Sequence, residues 1–171
     1  MKQQALYETL WQAGQGREED IVLRCGDKSL SYGALFQGIL QTEAGLRALG
    51  VGPGELVTLF SLNTPEAVMA FYAIDRIGAV ANWVDMKVSP AEVEEYLTQA
   101  GSRVALVLEV AFSKVYHHRG KAPTQHFVVL PLAPYVAPEL EGKLHLNTWQ
   151  QGAGPDCLSW ADFLRPPAQV P

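Results

Sequence analysis

The side chains that could bind a metal or act as a nucleophile do not stand at the spacings that such chemistry requires. Cys25 and Cys157 lie near opposite ends of the chain, and a zinc site needs several closely spaced ligands, so neither cysteine predicts one. His117 and His118 are adjacent, so on a helix their side chains diverge by about 100° and cannot readily share one metal. We interpret them as a solvated pair. Two further histidines stand alone, without a cysteine or glutamate at ligand spacing: His126 and His145.

The carboxylates offer one position of interest. Glu92, Glu94 and Glu95 fall on the cap and the surface of a predicted helix. Asp85 comes just after a predicted strand, at the end where open α/β sheets bind ligands. Two interpretations of Asp85 stay open: a functional role at the strand end, or formation of a turn with the two residues that follow it.

Two glycine-rich segments are candidates for a phosphate-binding loop. Residues 50–54 follow a predicted helix and open a strand, whereas a phosphate loop follows a strand and opens a helix. We therefore interpret them as a helix end and a tight turn. Gly152 and Gly154 lack the lysine and the Ser/Thr of a Walker loop. Since no Gly-x-Ser-x-Gly motif occurs either, we assign no catalytic, cofactor-binding or metal-binding residue.

The composition is typical of a globular domain. Hydrophobic residues make up 48% of the 171 residues, charged residues make up 18%, and the formal net charge is -5. This acidic balance, with scattered Lys and Arg, argues against a nucleic-acid partner. The apolar runs are far shorter than the ~20 residues of a membrane-spanning helix, and the N-terminus lacks a signal-peptide pattern. We expect a cytoplasmic protein without a membrane span.

Hydrophobic patterning predicts strands and helices in alternation. Strands are predicted over residues 21–24, 29–30, 56–60, 79–84, 103–108 and 126–130. The first two form a hairpin, which we place at a sheet edge. Helix starts are predicted at Ser31, Thr64 and Ser89, the last with a capping box. The alternation predicts an α/β fold: a mostly parallel sheet with helices on both faces.

We expect residues 1–171 to form a single α/β domain. Residues 67–74 are apolar without a break, and a helix that is apolar on all sides predicts burial on all sides. Residues 131–171 are predicted to be largely irregular, because prolines and glycines interrupt any period. Within them we expect a short strand at 143–146 and a short helix near 159–164.

Four ordered segments resemble the N-terminal part of the adenylate-forming ligases, the superfamily that includes the acyl-CoA synthetases. They are residues 30–35 (LSYGAL), 46–57 (LRALGVGPGELV), 63–66 with 77–82 (NTPE and IGAVAN), and 89–104 (SPAEVEEYLTQAGSRV). Residues 159–164 are similar to the short helix that usually precedes the family's nucleotide loop. The resemblance implies the N-terminal subdomain of a longer AMP-forming acyl-CoA synthetase, truncated before that loop.

The resemblance also implies the chemistry of the parent enzyme. The parent would activate a small carboxylic acid with ATP and magnesium to an acyl-adenylate and pass the acyl group to coenzyme A. The family's Ser/Thr/Gly-rich loop ending in Pro-Lys has no match in these 171 residues, so no catalytic residue is carried over. We expect the fragment alone to be inactive and to bind no cofactor. Its expected partner is the remainder of its parent chain, and its exposed apolar surface predicts self-association.

Two other functions stay open from the sequence. The first is a stand-alone interaction or regulatory module that has this fold and no catalytic chemistry. The second is a small flavodoxin-like domain that binds a nucleotide at its strand ends, which would require an anion-binding turn that the sequence does not display.

Overall fold

The computed structural model describes residues 5–165. Its strands are β1 (Ile21–Cys25), β2 (Lys28–Ser31), β3 (Leu56–Phe60), β4 (Val80–Val84), β5 (Val104–Leu108), β6 (His126–Leu130) and β7 (Cys157–Ser159). Its α-helices are α1 (Leu6–Gly14), α2 (Tyr32–Ala48), α3 (Pro65–Ile77), α4 (Pro90–Ala100), α5 (Phe112–Tyr116), α6 (Pro138–Glu141) and α7 (Trp160–Phe163). Short 3₁₀ helices cover Glu109–Ala111, Ala133–Tyr135 and Trp149–Gly152. None of the helices in this part of the chain is long and apolar enough to cross a membrane.

Five strands form one parallel sheet in the order β4-β3-β5-β6-β7. Counted within the sheet, this is the order 2-1-3-4-5 of a doubly wound fold. The predicted hairpin exists, since β1 pairs antiparallel with β2. Its predicted place at a sheet edge is wrong, because these two strands form a separate two-stranded sheet.

The alternation of side chains along the strands divides the core between the two faces of the sheet. In β3, Leu59 faces a cluster with α1, α2 and α3, whereas Phe60 faces a second cluster with α4 and α5. In β5, Leu106 faces the first cluster and Val107 faces the second. The prediction of a mostly parallel sheet with helices on both faces is therefore confirmed.

The predicted helix starts are confirmed at the level of hydrogen bonds. The side chains of Ser31 and Thr64 accept from the amides of the third residue after them, at 3.3 and 3.4 Å. Ser89 forms the complete capping box with Glu92: its hydroxyl accepts from the Glu92 amide, and its own amide donates to the Glu92 carboxylate. Such caps satisfy amides that have no partner within the helix.

Two predictions of local structure are wrong. Residues 143–146 form turns instead of a strand, and Leu146 is buried in the core from one of those turns. The strand in this region is β7, three residues long, which joins the sheet beside β6. Helix α3 is not buried on all sides either, since Phe71 and Tyr72 on its outer side are only half-buried.

Candidate functional site

A cleft of about 220 Å³ lies at the carboxyl ends of β5, β6 and β7. Its walls include Glu109, Trp149, Ser159 and Trp160. In open α/β sheets this end of the strands is where ligands bind, because the connecting loops diverge there. The cleft is therefore the first candidate for a functional site.

Glu109 organises the loops around this cleft. The residue is 8% exposed. Its carboxylate accepts from the amides of Leu132 and Ala133 at 2.6 and 3.1 Å and from the amide of Asn147 at 2.8 Å. Asn147 has a left-handed backbone with φ of 58°, so the turn before it depends on this bond. Both carboxylate oxygens are engaged, which makes Glu109 a structural anchor and not an available base.

The hydroxyl of Ser159 is also engaged. It accepts from the amide of Asp162 at 3.0 Å and donates to the Asp162 carboxylate at 2.6 Å, which caps helix α7. Glu109 and Ser159 are both engaged in structural hydrogen bonds. The cleft has in addition two indole rings and the amide side chains of Asn147 and Gln150 in its walls. The arrangement can hold a small molecule, but Glu109 and Ser159 cannot transform it.

Asp85 forms a turn. The side chain is exposed, and its Oδ1 accepts from the amide of Lys87 at 2.8 Å. The adjacent loop is held from α5, because Lys114 donates to the carbonyls of Met86 and Val88 at 2.7 and 2.9 Å. Of the two interpretations of Asp85, the structure supports turn formation.

The interpretation of His117 and His118 as a solvated pair is half wrong. His117 is exposed, whereas His118 is buried and its Nδ1 lies 3.1 Å from Glu94. The hydrogen bond with His118 lowers the pKa of the Glu94 carboxyl. Within residues 5–165 no cluster of three His, Cys, Asp or Glu side chains could hold a metal ion. These residues do not fit a magnesium site.

The glycine-rich turn after α2 is a helix end and a tight turn, as predicted. Gly50 and Gly54 have φ of 83° and 79°, where a side chain would be strained. The amide of Gly52 donates to Glu55 at 2.7 Å and holds the pKa of that carboxyl below its usual range. Glu55 also accepts from Arg103 at 2.8 Å. The turn thus contains its own anion and leaves the Gly52 amide unavailable to a phosphate.

The surroundings of Cys157 do not activate it as a nucleophile. Cys25 and Cys157 are both free and half-buried. Burial raises the pKa of the Cys157 thiol, which reduces the share of reactive thiolate at neutral pH.

A second cavity, of about 210 Å³, lies between the β1–β2 hairpin, the first turn of α3 and Tyr135. Glu66 stands in its wall and is 8% exposed. Its Oε1 accepts from the Tyr135 hydroxyl at 2.6 Å. Its Oε2 is enclosed and forms no hydrogen bond of ordinary geometry within residues 5–165. Burial raises the pKa of the Glu66 carboxyl, although the bond from Tyr135, the Glu66 backbone and the Thr64 side chain act in the opposite direction.

Replacement of this carboxylate is expected to change how stability depends on pH. The folded state holds the proton of Glu66 to higher pH than the unfolded state does. The free energy of unfolding therefore falls as pH rises from the unfolded-state pKa through the folded-state pKa of this carboxyl. We expect Glu66→Gln to be more stable than the parent chain at pH 7 by about 1 kcal/mol, and the two to converge below about pH 4. Urea unfolding at several pH values measures this. A difference in the free energy of unfolding between the two proteins that stays the same at every pH would contradict this expectation.

Sequence reasoning missed both buried glutamates. Glu109 directly follows a fully buried strand, and that position was a usable signal. Glu66 lies at the start of a helix, where an acidic residue is expected for the helix dipole alone. Its burial depends on Tyr135, which comes 69 residues later in the sequence, and nothing local indicates that contact.

Comparison with known proteins places the chain in a family. The sequence profile of the family described as AMP-binding enzyme matches residues 10–159. The chain belongs to this AMP-binding enzyme family. The match includes all five strands of the parallel sheet and both buried glutamates.

Curated relatives of this member of the AMP-binding enzyme family are acyl-CoA ligases. It is 34% identical over 101 residues to the long-chain-fatty-acid–CoA ligase of Thermus thermophilus, covering 58% of this chain and 19% of that protein. It is 30% identical over 102 residues to the 3-hydroxybenzoate–CoA/4-hydroxybenzoate–CoA ligase of Thauera aromatica, covering 60% and 19%. The chain thus spans about a fifth of the length of these relatives.

Solved structures of similar fold are also ligases. A variant of coronafacic acid ligase from Pectobacterium brasiliense superposes with a TM-score of 0.80 at 14% identity, covering 98% of this chain and 30% of that one. The anthranilate CoA ligase AuaEII, in complex with anthranoyl-AMP, superposes with a TM-score of 0.70 at 24% identity, covering 81% and 26%. The resemblance to the adenylate-forming ligases is confirmed at the level of the fold.

Proposed function

We propose that this chain is the N-terminal part of an ATP-dependent, AMP-forming carboxylate–CoA ligase. As a whole the enzyme would join a small carboxylic acid to AMP, using ATP and magnesium, and transfer the acyl group to coenzyme A. Residues 1–171 would be a single α/β domain of it, and the enzyme would be cytoplasmic. The observation that carries the proposal is the family match over residues 10–159.

We also propose that the chain by itself catalyses neither half of this reaction. In the cleft at the carboxyl ends of β5, β6 and β7 (the carboxyl-edge cleft), the carboxylate of Glu109 anchors the loops and the hydroxyl of Ser159 caps helix α7. Among residues 5–165, no lysine lines that cleft. The groups that react would come from the remainder of the parent chain, which would be the main partner of this segment.

An ATP–pyrophosphate exchange assay tests both statements. With a panel of aliphatic and aromatic carboxylates, we expect no exchange above background for residues 1–171. We expect carboxylate-dependent exchange for the full-length polypeptide that contains them. Exchange by the short chain would contradict the second proposal, and a full-length polypeptide that is inactive with every acid would contradict the first.

The outer edge of β4 is the surface that the rest of the enzyme would cover. Within residues 5–165 no strand pairs with this side of β4. Val80 is 49% exposed and Trp83 is 36% exposed, and the Trp83 ring lies 6.1 Å from that of Phe71 on α3. An open strand edge with apolar side chains and no charge favours strand pairing between molecules.

We therefore expect residues 1–171 to self-associate through β4 when isolated. Val80→Lys should shift the chain toward monomer at high concentration, because an edge lysine opposes strand pairing. Leu144→Lys is the matched control, since Leu144 is 40% exposed in a turn and the change in charge is the same. Light scattering across a concentration series measures the effect. A parent chain that stays strictly monomeric, or equal effects of the two substitutions, would contradict this.

The same surface favours one alternative function, a non-catalytic interaction module. In that case an unrelated protein would cover β4, and the chain would be found in a complex without further ligase sequence. A co-purified partner that loses binding on Val80→Lys, from cells that contain no longer form of the chain, would support the alternative against the ligase.

A further inference from the structure

The cavity beneath the β1–β2 hairpin has the composition of a small-molecule site. The described residues that line it on the apolar side are Leu23, Leu30, Pro65 and Met69, and those on the polar side are Lys28, Ser29, Glu66 and Tyr135. Its volume of about 210 Å³ exceeds the roughly 150 Å³ that holds a benzene molecule in an engineered protein cavity. Apolar walls with a few polar groups are typical of ligand pockets.

Glu66, a residue of the cavity wall, has one enclosed carboxylate oxygen that forms no hydrogen bond within residues 5–165. The Oε1 of Glu66 accepts from Tyr135, but the Oε2 is enclosed without a hydrogen bond. A buried polar atom without a partner costs roughly 1–3 kcal/mol, and native proteins rarely retain one without a reason. The terminal torsion of a glutamate side chain is soft, so a modest rotation would let Oε2 meet a group in the cavity.

We propose that this cavity binds a small apolar molecule with one hydroxyl group, which forms a hydrogen bond with the carboxyl group of Glu66. A hydroxyl is the group that fits, because it donates to a carboxylate and accepts from a carboxylic acid. It therefore satisfies Glu66 in either protonation state, which an ammonium or a carbonyl group does not. The cavity volume limits the molecule to about the size of a phenol.

The ligand would contact two parts of the fold, the β1–β2 hairpin and helix α3. The hairpin supplies Leu23 and Leu30, and the first turn of α3 supplies Pro65 and Glu66. Binding would stabilise the hairpin against the main sheet by mass action. The site lies apart from the carboxyl-edge cleft, so it does not depend on the proposed ligase function.

Phenol and benzene are the probes, and NMR titration of the whole chain is the measurement. We expect phenol to bind about tenfold more tightly than benzene, the difference expected from one hydrogen bond in a buried site. Amides of β1, β2 and the first turn of α3 should shift. Glu66→Gln should keep the preference, because an amide also bonds to a hydroxyl. Glu66→Met, of similar length, should abolish it.

A second variant tests the location independently of Glu66. Ser29 is exposed at the rim of the cavity, and Ser29→Phe should close the entrance and weaken both probes at least tenfold. Equal binding of phenol and benzene by the parent chain would overturn the proposal, as would failure of both to bind. A phenol preference that survives Glu66→Met, or unchanged binding by Ser29→Phe, would also overturn it.

Discussion

Glu109→Ala is expected to lower the free energy of unfolding by about 3–5 kcal/mol. The substitution leaves the amides of Leu132, Ala133 and Asn147 without their acceptor. Each bond joins a backbone amide to a charged acceptor, and such bonds are the stronger class. The turn at Asn147 also loses the contact that holds its left-handed backbone. Urea unfolding followed by far-UV circular dichroism measures the loss.

Hydrogen exchange separates a local from a global effect of this substitution. The amides of Leu132 and Asn147 should lose protection in Glu109→Ala at low denaturant, whereas Val128 in the sheet should keep it. Glu95→Ala is the matched control. Glu95 is exposed on α4 and bonds only to the Gln99 side chain, so a change within about 0.5 kcal/mol is expected. A loss below about 1 kcal/mol for Glu109→Ala would contradict the role of Glu109 as an anchor.

Gly45→Ala is expected to destabilise the chain by about 2 kcal/mol and to displace helix α7. A methyl group at Gly45 would lie 2.7 Å from the Phe163 ring and 2.9 Å from the Phe163 carbonyl oxygen. Alanine favours a helix over glycine by about 1 kcal/mol, so a net loss requires that the clash exceed this gain. Because Trp160 on α7 lines the carboxyl-edge cleft, the cleft should change shape too.

Gly142→Ala is expected to stabilise the chain, which is the opposite of the effect expected for Gly45→Ala. Gly142 has φ of -66° and nothing within 4 Å of the added methyl group. Alanine there should raise stability by about 0.4–1 kcal/mol, since it reduces the freedom of the unfolded chain. Thermal unfolding compares the two variants. A stabilising Gly45→Ala would show that α2 and α7 do not pack as closely as the structure has them.

Local signals in the sequence were sufficient for most of the main sheet and its helices. Ser31, Thr64 and Ser89 cap helices because side-chain oxygens at those positions satisfy nearby amides. The strand predicted over residues 126–130 forms with those bounds. These features depend on residues within a few positions of one another, so a short stretch of sequence is enough to predict them.

Features that depend on distant contacts could not be predicted in this way. β7 is three residues long between glycine-rich and helical segments, too short for a periodic pattern. The sequence pattern of a hairpin is the same whether or not the hairpin joins a larger sheet. His118 is buried because Glu94 on α4 packs against it. The roles of Glu66 and Glu109 depend on partners from 23 to 69 positions away.

The candidate site was unpredictable for a further physical reason. At the carboxyl edge of the sheet, Glu109 anchors loops and Asp85 closes a turn. This part of the chain uses these carboxylates to hold the loops of the sheet, and a motif of reactive groups does not indicate that role. Such a scaffold is what we expect of a ligase segment whose reacting groups lie elsewhere in the enzyme.

The most direct test of the proposed ligase origin is the coding sequence beyond the codon for Pro171. We predict an open reading frame that continues into a Ser/Thr/Gly-rich loop ending in Pro-Lys and, much later, a C-terminal domain with a lysine. A stop codon directly after Pro171 in the native gene would contradict the proposal, and the chain would then be an interaction module without catalytic chemistry.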